Sequence, residues 1–321
     1  MINGELIDLV AGDYEARIAT SGATLVHLRR AGSDLVIPFD AEVSLPEGWQ
    51  GKTLVPWPNR IVGARYAYRG QEYPVPCNEP ETGSALHGLV GWADFQVVAT
   101  SAGDDAVGDA PSSVALELTL PGSYAYPWSL QVDVRFALDA RAGLTVAATT
   151  TCLGAGAPAA PDAVGAPESD GLLAPAPYGV SFHPYLTRSV PLDECVLQVP
   201  AARVLDVDER MAPAAERDVA GTDWDWRAGR PVGTISTDNA YTGLPQGPWE
   251  VRLTGGEAGR TVVMSAEAPW VQVYTAEHLG RRGVAVEPMT CPPDAFNSGR
   301  DLVELEVGRS HSFSYSLRED D

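Results

Sequence analysis

Apolar and polar residues alternate with a period of two along much of this chain, in runs that are short. In Gly283-Val284-Ala285-Val286-Glu287-Pro288, Val284 and Val286 share one face and Ala285 and Glu287 the other, the pattern of a half-buried strand. Gly179-Val180-Ser181-Phe182-His183-Pro184-Tyr185-Leu186 is built the same way, with Val180 and Phe182 alternating with Ser181 and His183. Each run meets a proline just after a polar residue. Proline lacks an N–H and restricts the residue before it, so both strands are predicted to end there. An imidazole and a carboxyl group are thereby expected at two strand tips.

The same pattern recurs along the chain. Residues 7–10, 14–18 and 23–29 read as paired strands, with Ala11-Gly12-Asp13 as a hairpin connection, and 35–38 as another short strand. Two prolines in Thr53-Leu54-Val55-Pro56-Trp57-Pro58-Asn59-Arg60-Ile61 deny that stretch a central place in a sheet and make it an ordered loop. Residues 66–73 read as a hairpin turning at Arg69-Gly70. The glycine-punctuated stretch 84–92 reads as irregular and brings His87 near Trp92. Strands follow at 95–100, 114–120, 130–138 and 144–152, the last two long and adjacent. Further strands fall at 195–199, 202–205, 249–253, 261–266, 271–274, 284–287 and 313–317. The Ala-, Pro- and Gly-rich stretch 154–176 has too little apolar bulk to pack and reads as a mobile surface loop within a single domain, 1–321. Many short strands without sustained helical periodicity predict an all-β fold, an antiparallel sandwich.

Composition narrows the function. The 321 residues are 45% hydrophobic, enough for a large core, and carry 32 glycines and 26 prolines, as a turn-rich β protein requires. A net charge of −21 excludes a nucleic-acid binder, which needs a basic face. Cys77, Cys152, Cys195 and Cys291 form neither a close metal-type pair nor a C-x-x-C motif. The first residues lack a basic and a long apolar segment, so a soluble cytoplasmic protein with no membrane partner is expected. His27, His278 and His311 show no ligand-like spacing; no nucleophile elbow or phosphate-cradling glycine loop is present.

Six short motifs together resemble the aldose 1-epimerase (mutarotase) family. They are Asn59-Arg60-Ile61, Leu86-His87-Gly88, His183-Pro184-Tyr185, Asp238 in Asp238-Asn239-Ala240-Tyr241, Gln272 in Val271-Gln272-Val273-Tyr274-Thr275, and Glu287-Pro288 followed by Pro293-Asp294-Ala295-Phe296-Asn297. They run in order over most of the chain. The chain departs from the family where Gly88-Leu89 stands in place of two glycines, and in the length of the 154–176 stretch. The resemblance implies a large galactose mutarotase-like antiparallel β-sandwich with an open concave sugar-binding face. It also implies interconversion of the α and β anomers of a free aldose by acid–base ring opening, with no metal or other cofactor, in a monomer or homodimer.

Under that reading Glu287 is the base at the anomeric hydroxyl, His183 the acid at the ring oxygen, and His87 a hydrogen-bond donor near the ring oxygen. Arg60 and Asp238, with Asn59 and Gln272, bind sugar hydroxyls. Histidine starts near a neutral pKa, whereas glutamate must be raised toward it. Trp57, Trp92 and Tyr178 offer aromatic faces but equally suit a core. Three alternatives remain. A hexose-6-phosphate epimerase needs cations such as Arg188, Arg281 and Arg282. A non-catalytic sugar-binding module needs no acid–base pair. A glycoside hydrolase usually needs a second carboxylate.

Overall fold

A computed structural model describes residues 2–103, 110–155, 174–256 and 259–320. Every strand ladder in it is antiparallel. A nine-stranded sheet runs from Gln96–Ser101 at one edge through Ser113–Leu120, Trp128–Asp139, Gly143–Ala155, Ser310–Asp320, Thr261–Ala266 and Trp249–Thr254 to short edge strands. An eight-stranded sheet is centred on Asp238–Thr242, Trp270–Tyr274 and Gly283–Met289. The N-terminal strands Leu6–Ala11, Tyr14–Ala19 and Thr24–Arg30, with the two-residue Ser33–Asp34, form a separate four-stranded sheet.

The two large sheets share one core. Val271, Val273, Val284 and Val286 from the smaller sheet join Val146, Ala148, Val251, Met264 and Phe313 from the larger. Phe182 bridges them, its ring 6.1 Å from Phe313 and 5.0 Å from Tyr315. Because strand side chains alternate, the opposite face of the smaller sheet is left for polar residues. Gln272 and Glu287 stand there directly across from each other in the register.

The predicted long pair appears as Trp128–Asp139 against Gly143–Ala155. The Arg69-Gly70 turn is present with both residues at positive φ (51° and 82°), as a tight hairpin turn demands. Residues 35–38 form no strand; Val36 makes only an isolated bridge to Leu186. Of the stretch 154–176, Gly154 and Ala155 end a strand and Ala176 begins one, Ala176–Tyr178; residues 156–173 lie outside the described residues.

The first proline ends its strand and the second does not: Ser181–Phe182 stops just before His183-Pro184, as predicted. Beyond Pro184, pairing resumes at Tyr185–Thr187 against the same neighbour. Pro288 lies inside Gly283–Met289, opposite Val271. Val286 and Thr290 donate their N–H groups to Pro184 and Val180. The N–H that Pro288 lacks would point the same way, toward the segment already broken at His183-Pro184, so little pairing is lost.

Candidate active site

The break at His183-Pro184 is what frees His183. Its N–H is tied to the Lys52 carbonyl at 3.0 Å and its carbonyl to the Gly51 N–H at 2.9 Å, while the imidazole leaves the sheet. Tyr185 supports the ring by stacking at 5.0 Å. Glu287 sits on the strand alongside, and His183 Nε2 lies 3.3 Å from Glu287 Oε1. Both side chains are almost fully buried (5% and 2% exposed) at the floor of a cavity of about 220 Å3. That is below the roughly 300–1,000 Å3 of drug-sized ligand pockets and suits one small polar ligand.

Burial disfavours charge on both groups. It drives the His183 imidazole down to about 3 and pushes the Glu287 carboxyl well up, helped by Asp238 and opposed by Arg60. Burial thus favours the neutral form of each group, and the two sit close enough to pass a proton between them. His183 Nδ1 and Glu287 Oε2 have no hydrogen-bond partner among the described residues. Buried polar atoms left unpaired are costly, so a ligand that reaches them gains affinity.

His87 is locked in one orientation. It sits at positive φ (62°), as does Asn59 (53°), and the two residues bond reciprocally. The His87 N–H donates to the Asn59 carbonyl at 2.8 Å, and the Asn59 N–H donates to His87 Nδ1 at 3.2 Å. Gly88 follows at φ +74°, where an added Cβ would meet the Val55 backbone, so this turn requires glycine. Burial, with His183 and Arg60 nearby, keeps the His87 imidazole neutral. With Nδ1 accepting, its proton is on Nε2, a fixed donor beside His183 (ring centroids 5.0 Å).

His87, His183 and Glu287 are close enough to suggest a cation site, their ligand atoms lying within 4.8 Å of one another. The tautomer argues otherwise. Neutral His87 has its one lone pair occupied by the Asn59 N–H and offers none to a metal. The trio is better suited to moving protons.

The sugar-binding candidates line the same cavity. Gln272 Nε2 donates to Asp238 Oδ1 at 2.6 Å, leaving Gln272 Oε1 buried without a partner among the described residues. Burial raises the Asp238 carboxyl above its usual range, against Arg60 and Gln272. Arg60 is not the free donor fork that its sequence context suggests. Glu79 takes its Nε and one terminal nitrogen at 2.7 Å each, and the other terminal nitrogen lies 3.4 Å from Asn59 Oδ1.

All seven residues singled out in the sequence thus meet at one cavity. Seven further residues line it: Gly48 and Leu86, and five with polar or aromatic side chains that the sequence reading did not single out, Trp49, Glu79, Tyr185, Tyr274 and His278. His278 in particular belongs to the site, its Nδ1 bonded to the Tyr274 hydroxyl at 2.9 Å. Trp57 and Tyr178 are core residues, whereas Trp92 is exposed. Arg188, Arg281 and Arg282 line a different cavity. There Arg188 pairs with Glu319, and Arg281 with Asp193 and Glu277. They do not supply phosphate-binding cations to this site. The four cysteines are free, and Cys291, near Glu287 in sequence, is a buried thiol pushed up to about 12 by burial. No helix among the described residues is long and apolar enough to cross a membrane.

Comparison with known proteins bears on the family and the fold. The family model for aldose 1-epimerase matches residues 5–159 and 167–318. The chain is 38% identical to the Escherichia coli (strain K12) uncharacterized protein YihR over 98% of this chain and 93% of that one. It resembles the GalM/aldose epimerase homologue from C. elegans at a TM-score of 0.79 and 20% identity, covering 98% of each chain. It resembles galactose 1-epimerase from Lactobacillus acidophilus at a TM-score of 0.78 and 16% identity, covering 96% of this chain and 92% of that one. The fold is that of the galactose mutarotase-like proteins, and the chain belongs to the aldose 1-epimerase family.

Proposed function

We propose that this protein is an aldose 1-epimerase that interconverts the α and β anomers of a free sugar. The observation that carries the reading is the 3.3 Å approach of His183 Nε2 to Glu287 Oε1 at the floor of a polar cavity. The anomeric hydroxyl and the ring oxygen hang from the same carbon. A group that removes a proton from one and a group that delivers a proton to the other must therefore sit side by side, as these do.

Ring opening starts with a proton on His183. Glu287 takes the proton of the anomeric hydroxyl, His183 protonates the ring oxygen, and the bond from the anomeric carbon to the ring oxygen breaks to give the aldehyde. The pair then stands as neutral imidazole and protonated carboxyl, the state burial favours. Rotation about the C1–C2 bond and the reverse transfers close the ring on the other face. The pair's net charge stays zero throughout, which avoids creating an unpaired charge in a desolvated site. His87 Nε2–H donates near the ring oxygen. Asp238 and Gln272 Oε1 accept from sugar hydroxyls, and the Arg60 nitrogen not held by Glu79 donates to one. The residues need no metal or redox group for this chemistry.

Polarimetry of freshly dissolved α-glucose and α-galactose tests the reading, with buffer as the baseline. Accelerated drift to equilibrium for at least one aldose is expected. A rate equal to buffer across a panel of free aldoses overturns it.

A further inference from the structure

A run of aromatic side chains leads from the acid–base pair to the surface. His87, against His183, is 4% exposed. Trp49 packs edge-on to His87 at 5.1 Å, lines the cavity and is half-buried. Trp92 packs on Trp49 at 5.5 Å and is 49% exposed. Exposure rises at each step, so the run marks a path out of the cavity. Gly91 keeps it closed up: a Cβ there would lie 2.7 Å from the Trp49 ring.

Trp92 is also held in place. The Lys52 ammonium lies 4.2 Å from its ring centroid and donates to the Ser21 carbonyl at 3.0 Å. Lys52 is the chain's single lysine and is fully buried, and burial drives its ammonium down to about 8. A buried cation with no carboxylate partner among the described residues costs stability. Here it fixes the orientation of an indole that is half open to water. A large, rigid, half-exposed aromatic beside a polar sugar cavity suits the C–H face of a second ring.

We propose that Trp49 and Trp92 form a second sugar subsite. Resting on the epimerase reading above, the substrates then include reducing saccharides of two or more units. The free-reducing ring occupies the cavity, which holds one ring, and the next ring lies on Trp92.

The test compares mutarotation kinetics of glucose and galactose with those of maltose, melibiose and β-1,4-galactobiose, for wild type, Trp92→Ala and Trp92→Phe. At least one disaccharide is expected to show a KM about tenfold below that of its reducing-end monosaccharide, from apolar area covered on Trp92. Trp92→Ala abolishes that advantage and leaves the monosaccharide constants unchanged, and Trp92→Phe keeps part of it. Phe also keeps Lys52 covered, so it serves if the alanine variant is unstable. No disaccharide advantage in wild type, or an equal rise of every KM in the variants, overturns the subsite. If wild type accelerates no mutarotation, the epimerase reading fails by itself. Calorimetric titration of the same sugars then judges the subsite: disaccharide binding lost selectively in Trp92→Ala supports it, and any other pattern overturns it.

Discussion

Replacing Glu79 by glutamine tests whether Arg60 binds substrate from a fixed position. Glu79 holds two Arg60 nitrogens at 2.7 Å, and Thr82 donates to the same carboxylate. Burial raises the Glu79 carboxyl, but its bonds to Arg60 and Thr82 outweigh that and set it below its usual range. Glutamine keeps one acceptor and turns an amide toward the guanidinium. One charge-assisted bond is lost, about 1.5–3 kcal/mol, with little water to replace it because the Arg60 side chain is 10% exposed. A stability loss of about 2 kcal/mol corresponds to a Tm drop of roughly 4 °C in a chain of this size. The Arg60 nitrogen facing the cavity loses its fixed position, and a sugar hydrogen bond worth about 1.4 kcal/mol becomes a KM about tenfold higher. His183 and Glu287 are untouched, so kcat stays within about threefold. Thermal unfolding and polarimetric initial rates over a range of sugar concentrations supply the three values. An unchanged KM in the folded variant refutes the reasoning, as does a loss confined to kcat.

Gly48→Ala should damage the site through its roof. Gly48 is at φ 55°, and a Cβ there would collide with His278 Nε2 and lie 2.9 Å from the Tyr185 hydroxyl; a KM rise of about tenfold or more is expected, and wild-type kinetics would contradict the placement of His278. Phe182→Ala removes a ring packed between the sheets and should cost about 3–5 kcal/mol by denaturant unfolding, whereas a loss under 1 kcal/mol would contradict the sandwich core. His27 is driven down to about 4, by burial first and then by Arg29 and Arg17. The unfolded chain therefore binds a proton there more tightly than the folded one. Its stabilisation is complete above the unfolded value near 6.5 and is lost as pH falls toward 4, so His27→Gln should flatten Tm against pH in that window; parallel curves would contradict it.

The sheet framework was legible because alternation is a local signal. The two faces of Gly283–Met289 could be read directly, and so could the Arg69-Gly70 turn. The strand end at Pro184 was legible too, but what Pro288 does was not, because it depends on which neighbour its missing N–H would have met. Tyr185 and Tyr274 were within reach of the sequence. Each stands two residues beyond a predicted site residue, His183 and Gln272, and extending the period of two puts it on the same face. Glu79, Trp49 and His278 carried no such signal. They lie outside the strands, and only the folded chain brings them to the cavity.

Everything about the proposed activity depends on proton transfer by one imidazole and one carboxyl group. The most direct measurement is the exchange rate between anomers, followed by NMR at sugar equilibrium, for wild type, His183→Asn and Glu287→Gln. The account predicts a fall of about 10²- to 10⁴-fold in each variant, with sugar binding and thermal unfolding close to wild type. Exchange at the wild-type rate in either folded variant would contradict it.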